Sequence, residues 1–173
     1  MVTTRRQPWI GRVGFVFGIL LAAAIIATGS VPGGNRALSA DLKLGATATG
    51  GLAVAPDGRV LTAHRLAPGA PGAEGRIRLL NQTSRRAPIL VRARTTDPAL
   101  DGLVRLELRA GKGAPLRTTL ADLRRWRRLE PALAPQRRER VAIRVWIPAS
   151  VDGGHEGRRT DVTLEFVRKG AQT

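Results

Sequence analysis

The sequence predicts an all-β domain over residues 41–173, and three observations support this fold class. Apolar and polar side chains alternate in short runs, which is the pattern of a strand with one buried face. Roughly seven or eight such runs are separated by turn sequences about every ten to fifteen residues. The chain of 173 residues contains no Cys, so its core must be built without disulfides. Together these features predict an immunoglobulin-like or jelly-roll antiparallel β-sandwich with one short helix.

The first 40 residues have the pattern of an export signal followed by a linker. The run Val13–Ala27 holds fifteen apolar or glycine residues, fewer than the ~20 of a comfortable membrane span. Small side chains permit cleavage after Gly29 or after Ser39; the alternatives are an uncleaved anchor helix and a buried core helix. A signal or an anchor would leave the domain outside the cytoplasm, because the positive residues beside the run stay on the cytoplasmic side. Those positive residues are Arg5, Arg6 and Arg12.

The predicted strands follow one another along the domain. The three most regular alternating runs are Leu103–Arg109, Arg140–Ile147 and Asp161–Arg168. Looser runs predict strands at Arg76–Leu80 and Ile89–Arg94, and weaker ones at Asp41–Ala48, Leu52–Ala55 and Val60–Leu66. The Pro-Asp-Gly sequence at 56–58 is a tight-turn sequence between two of these runs. The other predicted loops are Pro68–Gly75, Asn81–Arg86, Gly111–Ala114 and Val151–Arg159.

One segment, Thr118–Arg128, departs from the two-residue alternation and predicts the short helix. Its apolar residues Leu120, Leu123 and Trp126 recur every three residues, and Thr119 with Asp122 resembles a capping box. Trp126 is therefore expected to pack on the sandwich, and Leu129–Pro135 to lead into the next turn. Six arginines in this segment and shortly after it form a candidate polyanion-binding patch; the alternative is that they are an ordinary solvated surface. They are Arg124, Arg125, Arg127, Arg128, Arg137 and Arg138.

The net charge of +16 favours anionic partners. After residue 40 the chain has 25 basic and 13 acidic residues, so the mature part would carry 25 − 13 = +12. Candidate partners are an anionic cell-wall polymer, extracellular DNA, anionic lipid or an acidic protein. Only three of the basic residues are Lys, and such an arginine bias also follows from a GC-rich genome. The charge alone therefore leaves a functional and a compositional interpretation open.

The order of these features resembles the TasA/camelysin-type family of secreted surface and biofilm-matrix proteins. The resemblance implies an extracellular location, a jelly-roll or immunoglobulin-like sandwich, and a role in surface layers or fibres. One departure is Gln136, which stands where the family pattern has a second glycine. The matching segments are Leu66–Gly69, Arg76–Asn81, Pro88–Ala93, Leu120–Leu123, Leu133–Pro135, Val141–Pro148 and Val162–Phe166.

Catalytic and metal-binding motifs find little support in the sequence. Some members of the family are described as metalloproteases, which require two His one helical turn apart. Here His155 is followed by Glu156 but by no second His nearby, and the other histidine, His64, lies far upstream. No Ser lies in a nucleophile elbow, and the spacing of the loop aspartates Asp57, Asp97 and Asp101 is not that of a calcium loop. We therefore expect neither catalytic residues, nor a bound metal, nor a cofactor.

The sequence as a whole predicts an exported, non-enzymatic structural or adhesion module at the cell surface. Self-assembly would proceed through exposed strand edges, which offer unpaired backbone groups to a second chain. The alternative is a secreted binding module for an anionic polymer, and a secreted metalloprotease is a more distant one. The membrane would be contacted only through the N-terminal segment, and specific nucleic-acid recognition is not expected.

Overall fold

The computed structural model describes residues 39–152 and 157–171, all within the unit Asn35–Thr173. These residues form ten β-strands in two five-stranded sheets and no α-helix, which confirms the predicted β-sandwich. The proposed signal run and the pair His155-Glu156 lie outside the described residues. Among those described, no helix has the length and apolarity needed to cross a membrane.

The ten strands include every run that the alternation predicted. They are β1 (Ala40–Thr49), β2 (Leu52–Ala55), β3 (Gly58–Leu66), β4 (Ala73–Asn81), β5 (Ala87–Thr95), β6 (Arg105–Ala110), β7 (Leu116–Thr119), β8 (Arg127–Leu133), β9 (Arg138–Trp146) and β10 (Arg159–Arg168). Two of them, β7 and β8, were not predicted.

The strands are divided between two sheets with different central strands. Sheet A has the order β3-β1-β10-β5-β8, and sheet B has the order β2-β4-β9-β6-β7. All pairs are antiparallel except β1 with β10, the first and last strands, which run parallel. Because side chains alternate along each strand, each sheet turns one face to the core and the other to solvent.

The core lies between the two sheets and is built from the apolar positions of the alternating runs. In β9, Val141, Ile143 and Val145 are at most 1% exposed, and in β10 Leu164 and Phe166 are equally buried. Each such side chain contributes about 1.5–3 kcal/mol of hydrophobic stabilisation. The residues between them are therefore fixed on the outer faces.

The prediction of a helix over Thr118–Arg128 is wrong. Only Asp122–Arg124 is helical in this segment, as one 3₁₀ turn. The chain here crosses from β7 in sheet B to β8 in sheet A. The predicted contact between Thr119 and Asp122 is present: the Asp122 N–H donates to Thr119 Oγ1 at 3.0 Å. Leu120 and Leu123 are both fully buried, so their three-residue spacing reflects a connection under the sandwich.

Strand β8 replaces the connection predicted at Leu129–Pro135. It pairs with β5 at the edge of sheet A, with a register shift between Ala87 and Ile89. Pro131 interrupts its alternation, and proline within sheets is largely confined to edge strands because it cannot donate to the ladder. Because of this proline, the sequence pattern did not predict a strand here.

Candidate anion-binding face

The six arginines of the predicted patch are divided among a 3₁₀ turn, the edge of sheet A, and the turn and strand at the start of β9. Arg124 and Arg125 belong to the 3₁₀ turn and its end, whereas Arg127 and Arg128 lie in β8 at the edge of sheet A. The remaining two precede and begin a strand of sheet B: Arg137 lies in the turn before β9, and Arg138 is the first residue of β9. Polyanion binding by this set as a whole stays a prediction.

Two members of that patch have carboxylate partners of their own. Arg124 Nε lies 2.6 Å from Asp101 Oδ2, and the Asp101 side chain is only 3% exposed. The Thr95 hydroxyl donates to the same Asp101 oxygen at 3.0 Å. Arg128 lies 2.6 Å from Glu130 on its own strand. Arg124 therefore neutralises a buried charge and stabilises the fold.

Trp126 does not lie on a helix, but it is half-buried against sheet A. The Arg92 guanidinium carbon is 4.5 Å from the centroid of its ring, which is a cation–π contact. Arg92 Nε also contacts Glu165 Oε2 at 2.5 Å, and Arg94 Nε contacts Glu165 Oε1 at 2.6 Å. The charges of Arg92 and Arg94 are thus paired within the protein, whereas Arg125 and Arg127, which flank Trp126 in sequence, are exposed and form no ion pair among the described residues.

The outer face of sheet B carries a second, larger group of arginines. On β4, β6 and β9, the outward positions that alternate with the core hold seven arginines and only two glutamates. The arginines are Arg76, Arg78, Arg105, Arg109, Arg138, Arg140 and Arg144, and the glutamates are Glu74 and Glu107.

Strand register arranges five of these arginines in three adjacent rows. In the first row, Arg76 and Arg109 lie on either side of Ala142. In the second row, Arg78 is directly opposite Arg140, and in the third Arg138 is opposite Leu80. We call Arg76, Arg78, Arg109, Arg138 and Arg140 the arginine stripe.

The row that follows Arg76 in the opposite direction is charge-compensated. There Glu74, Arg144 and Glu107 lie side by side, and Arg117 of β7 follows. Glu107 contacts Arg117 at 2.8 Å and Arg109 at 3.1 Å. The hydrogen bond from Arg117 is the largest cause that lowers the pKa of Glu107, so this carboxyl stays ionised. The glutamate row therefore ends the stripe on this side.

Four members of the stripe have no carboxylate to balance them. Within residues 39–152 and 157–171, no Asp or Glu oxygen lies within 4.0 Å of the guanidinium groups of Arg76, Arg78, Arg138 or Arg140. All four side chains are exposed. The nearby carboxylate of Glu139 instead accepts a hydrogen bond from the Arg140 backbone N–H at 3.2 Å.

Three adjoining depressions follow the stripe across the sheet. Their volumes are about 210, 410 and 610 Å³. The first shares Arg76 with the second, and the second shares Arg78 and Arg140 with the third. Ala142 lines the first together with Glu74 and Glu107, and Gly111 lines the third together with Glu139. The result is a continuous open trough whose lining contains more arginines than glutamates.

A buried asparagine fixes the end of the trough where β9 begins. Asn81, the last residue of β4, is fully buried, and its Nδ2 donates to the Leu133 and Ala134 carbonyls at 3.2 and 3.0 Å. Its backbone N–H donates to the Arg137 carbonyl at 3.0 Å. The turn before Arg138 is therefore tied to β4, which holds the third row in register.

Two like charges directly opposite in a sheet are destabilising, so the pair Arg78–Arg140 costs free energy in the free protein. A bound anion would remove that cost. Guanidinium groups suit this role because they stay charged and donate paired hydrogen bonds to phosphate or carboxylate oxygens. The chemistry that the trough offers is multivalent binding of anions.

The residues considered for metal binding are distributed differently. His64 is on the edge strand β3, with its Nδ1 3.7 Å from Asp41 Oδ1, while Asp97 contacts Arg158 at 3.1 Å. In the part of the chain that the structure describes, no group of three His, Asp or Glu residues could hold a metal ion. The metalloprotease alternative therefore gains no support from these residues.

The arginine stripe as a group was not predicted; only Arg138 belongs to both the stripe and the predicted patch, although the signal for the others is present in the sequence. The polar positions of three alternating runs, RIRLL, LVRLELR and RVAIRVWI, are occupied mainly by Arg. Outward arginines in several strands indicate a basic face once those strands are known to be neighbours. The order and register of β4, β9 and β6 supplied that missing information.

Comparison with known proteins finds no matching family model and no similar curated protein. The resemblance to the TasA/camelysin-type family stays a prediction.

Proposed function

We propose that the protein is an exported, non-enzymatic surface module that binds an anionic polymer through the arginine stripe of sheet B. The observation that carries this proposal is the set of four exposed arginines that have no carboxylate partner among the described residues, two of them directly opposite each other. An uncompensated cationic array has a Coulomb and hydrogen-bonding preference for anions that evenly paired surface arginines lack.

The extent of the stripe favours a polymer over a small ligand. Its charges are spread over three rows of an open trough and do not converge on one enclosed point. A polymer gains by occupying several rows at once, because each further contact is intramolecular after the first. Export is supported by the N-terminal sequence pattern, and an anionic cell-wall polymer or other extracellular polyanion would be accessible there.

Self-assembly through strand edges is a second candidate function. The features of the edge strands give it less support than the arginine stripe gives to polymer binding. The edge strands of sheet B, β2 and β7, have four residues each. In sheet A, β8 contains Pro131, and the pairing of β3 with β1 is interrupted by two register shifts. Short, bulged or proline-containing edges are features that limit strand addition. Electron microscopy of the purified protein across salt and pH tests this candidate, since ordered filaments would restore it.

Titration of the protein with a polyanion at several salt concentrations tests the main proposal. Neutralising each phosphate contributes about 0.7–0.9 to the slope of log K against log salt. We expect replacement of the four unpaired stripe arginines, Arg76, Arg78, Arg138 and Arg140, by Gln to reduce the slope by about 3.

A matched control removes the same charge elsewhere. Arg59, Arg65, Arg85 and Arg86 are exposed, lie outside sheet B and form no ion pair in the described residues. Their replacement by Gln should leave most of the slope unchanged. Equal losses in the two variants would show that only net charge matters, and would contradict a defined binding face.

A further inference from the structure

The arginine stripe has a regular repeat along the strands. Residues on one face of an antiparallel strand recur every two positions, which corresponds to about 6.8 Å. The rows of Arg76 with Arg109, Arg78 with Arg140, and Arg138 are therefore successive steps of about 7 Å. The glutamate row closes one end, and β9 begins at the other. The trough has three anion positions in a line.

The first two rows hold two guanidinium groups each, one from either side of the trough, and in the first row Arg109 also contacts Glu107 at 3.1 Å. A phosphodiester has two charged oxygens that diverge from phosphorus, and each can accept hydrogen bonds from one side. Its two bridging oxygens then continue the chain along the trough. The charge thus lies in the polymer backbone, whereas a carboxylate polymer carries it on side branches. This arrangement favours phosphate as the anion.

The row spacing selects among phosphodiester chains. Three backbone bonds of an extended peptide span 3.3–3.6 Å, so six single bonds span about 7 Å. Six bonds separate successive phosphorus atoms when three carbons link the phosphates, as in a glycerol phosphate chain. Such a polymer can place one phosphate in each row.

Single-stranded nucleic acid has the same six-bond repeat, but its bases require stacking platforms. The residues beside the stripe, Ala142 and Leu80, are aliphatic. The nearest aromatic along β9 is Trp146, four residues beyond Ala142, and the Arg144 guanidinium carbon lies 5.6 Å from its ring centroid. The trough therefore suits a chain without bases.

We infer that the ligand is a linear polyol phosphate, bound as a single chain along β4 and β9 with one phosphate in each arginine row. This inference rests on the proposed function and specifies its ligand. The sugar or polyol between phosphates would face solvent, so the site would recognise the distance between successive phosphate groups.

Synthetic glycerol phosphate oligomers of one to six repeats, titrated into the full-length protein, test this inference. We expect Kd to fall about tenfold for each phosphate added up to three, because each row contributes charge-assisted hydrogen bonds. From three to six repeats the change should be below about threefold, since no further row is available. An affinity that rises evenly through six repeats would overturn the three-position site.

A single-row variant sharpens the same experiment. Arg138→Gln removes the third row, so the affinity should stop rising after two phosphates instead of three. Arg86→Gln, an exposed arginine outside the stripe, should leave the saturation at three. The same saturation length in both variants would contradict the assignment of one phosphate to each row.

Two further polymers distinguish the failure of this inference from that of the proposed function. If oligothymidylate binds more tightly than the abasic sugar phosphate of equal length, bases contribute and the ligand class is nucleic acid. If polyglutamate of equal charge binds as well as the glycerol phosphate oligomer, the phosphate assignment is wrong. In both cases salt-dependent binding by the stripe stands. Absence of binding to all these polymers would remove both proposals.

Discussion

The outer faces of the two sheets both carry arginines, but they balance them differently. On sheet A, Arg92 and Arg94 share the carboxylate of Glu165, and Arg159 lies 3.5 Å from Asp41. On sheet B, the glutamates occupy a single row, and the arginine rows beyond it have no acidic member. The two faces have the same architecture and differ in where carboxylates are placed.

This difference separates composition from function. A genome rich in arginine codons would supply arginine to both faces. Sheet A shows one way the fold accommodates it, because Arg92, Arg94 and Arg159 contact Glu or Asp, although Arg59 and Arg65 of the same sheet form no ion pair among the described residues. Sheet B keeps two arginines opposite each other at a cost to stability. Proteins commonly tolerate such a cost where an activity requires it. The grouping of unpaired arginines in adjacent rows, more than the number of arginines, therefore identifies the candidate site.

The largest expected effect concerns Arg124, the arginine that pairs with the buried Asp101 carboxylate. Arg124→Ala should destabilise the domain by about 2–3 kcal/mol, because it leaves the Asp101 carboxylate buried without its ion pair. Asp101 Oδ1 already lacks a hydrogen-bond partner among the described residues. Without Arg124, the carboxylate would therefore keep only the hydrogen bond that the Thr95 hydroxyl donates to Oδ2. Urea denaturation measures the change. A loss below about 0.5 kcal/mol, typical of an exposed ion pair, would contradict the structural role of Arg124.

The next effect would make sheet B resemble sheet A. Ala142→Glu introduces a carboxylate between Arg76 and Arg109, where it can pair with both. We expect polyanion affinity to fall about 100-fold, because the new charge neutralises the first row and repels the ligand. Thr163→Glu, opposite Arg94 on the outer face of sheet A, is the matched control with the same charge change. Equal losses in titrations of the two variants would contradict a site on sheet B.

The sequence was sufficient to predict the strands that alternate regularly, because a buried face imposes a two-residue period. The runs in β6, β9 and β10 were found for this reason. The segment from Thr118 to Arg128 was misinterpreted because Leu120 and Leu123 are spaced like one face of a helix. In the structure both leucines are buried under a connection between sheets.

The candidate site could be predicted only in part, because it depends on pairing between distant segments. Alternation places Arg78 and Arg140 on outer faces, but nothing local to either indicates that they are opposite each other. Equally, nothing in the basic run that contains Arg124 indicates that this side chain forms an ion pair with Asp101. Proximity in sequence singled out the run around Arg124, whereas proximity across strands defines the arginine stripe.

A smaller effect tests the cost of the like-charge pair. Arg140→Gln should stabilise the domain by about 0.5 kcal/mol at low salt, because it removes the repulsion with Arg78. Arg144→Gln, on the same face two residues further along β9, should destabilise it by about 0.3 kcal/mol, because Arg144 lies between Glu74 and Glu107. Both effects should disappear in about 1 M salt through screening. Changes of the same sign in urea denaturation would contradict the register-based assignment.

The smallest expected effect is the pH dependence, and its sign follows from Glu107. Its folded-state pKa is lowered below the ordinary value of 4.5, chiefly by the hydrogen bond from Arg117. The stabilisation from this pair is therefore complete above the unfolded-state pKa and is lost as pH falls through the lower folded-state value. Arginines do not titrate in this range. Polyanion affinity and domain stability should therefore change little through Glu107 between about pH 5.5 and 9. Glu107→Gln should lower stability at neutral pH and correspondingly reduce the further loss on acidification, as measured by thermal denaturation. A Glu107-dependent change near neutral pH would mean that this carboxyl does not remain ionised beside the stripe.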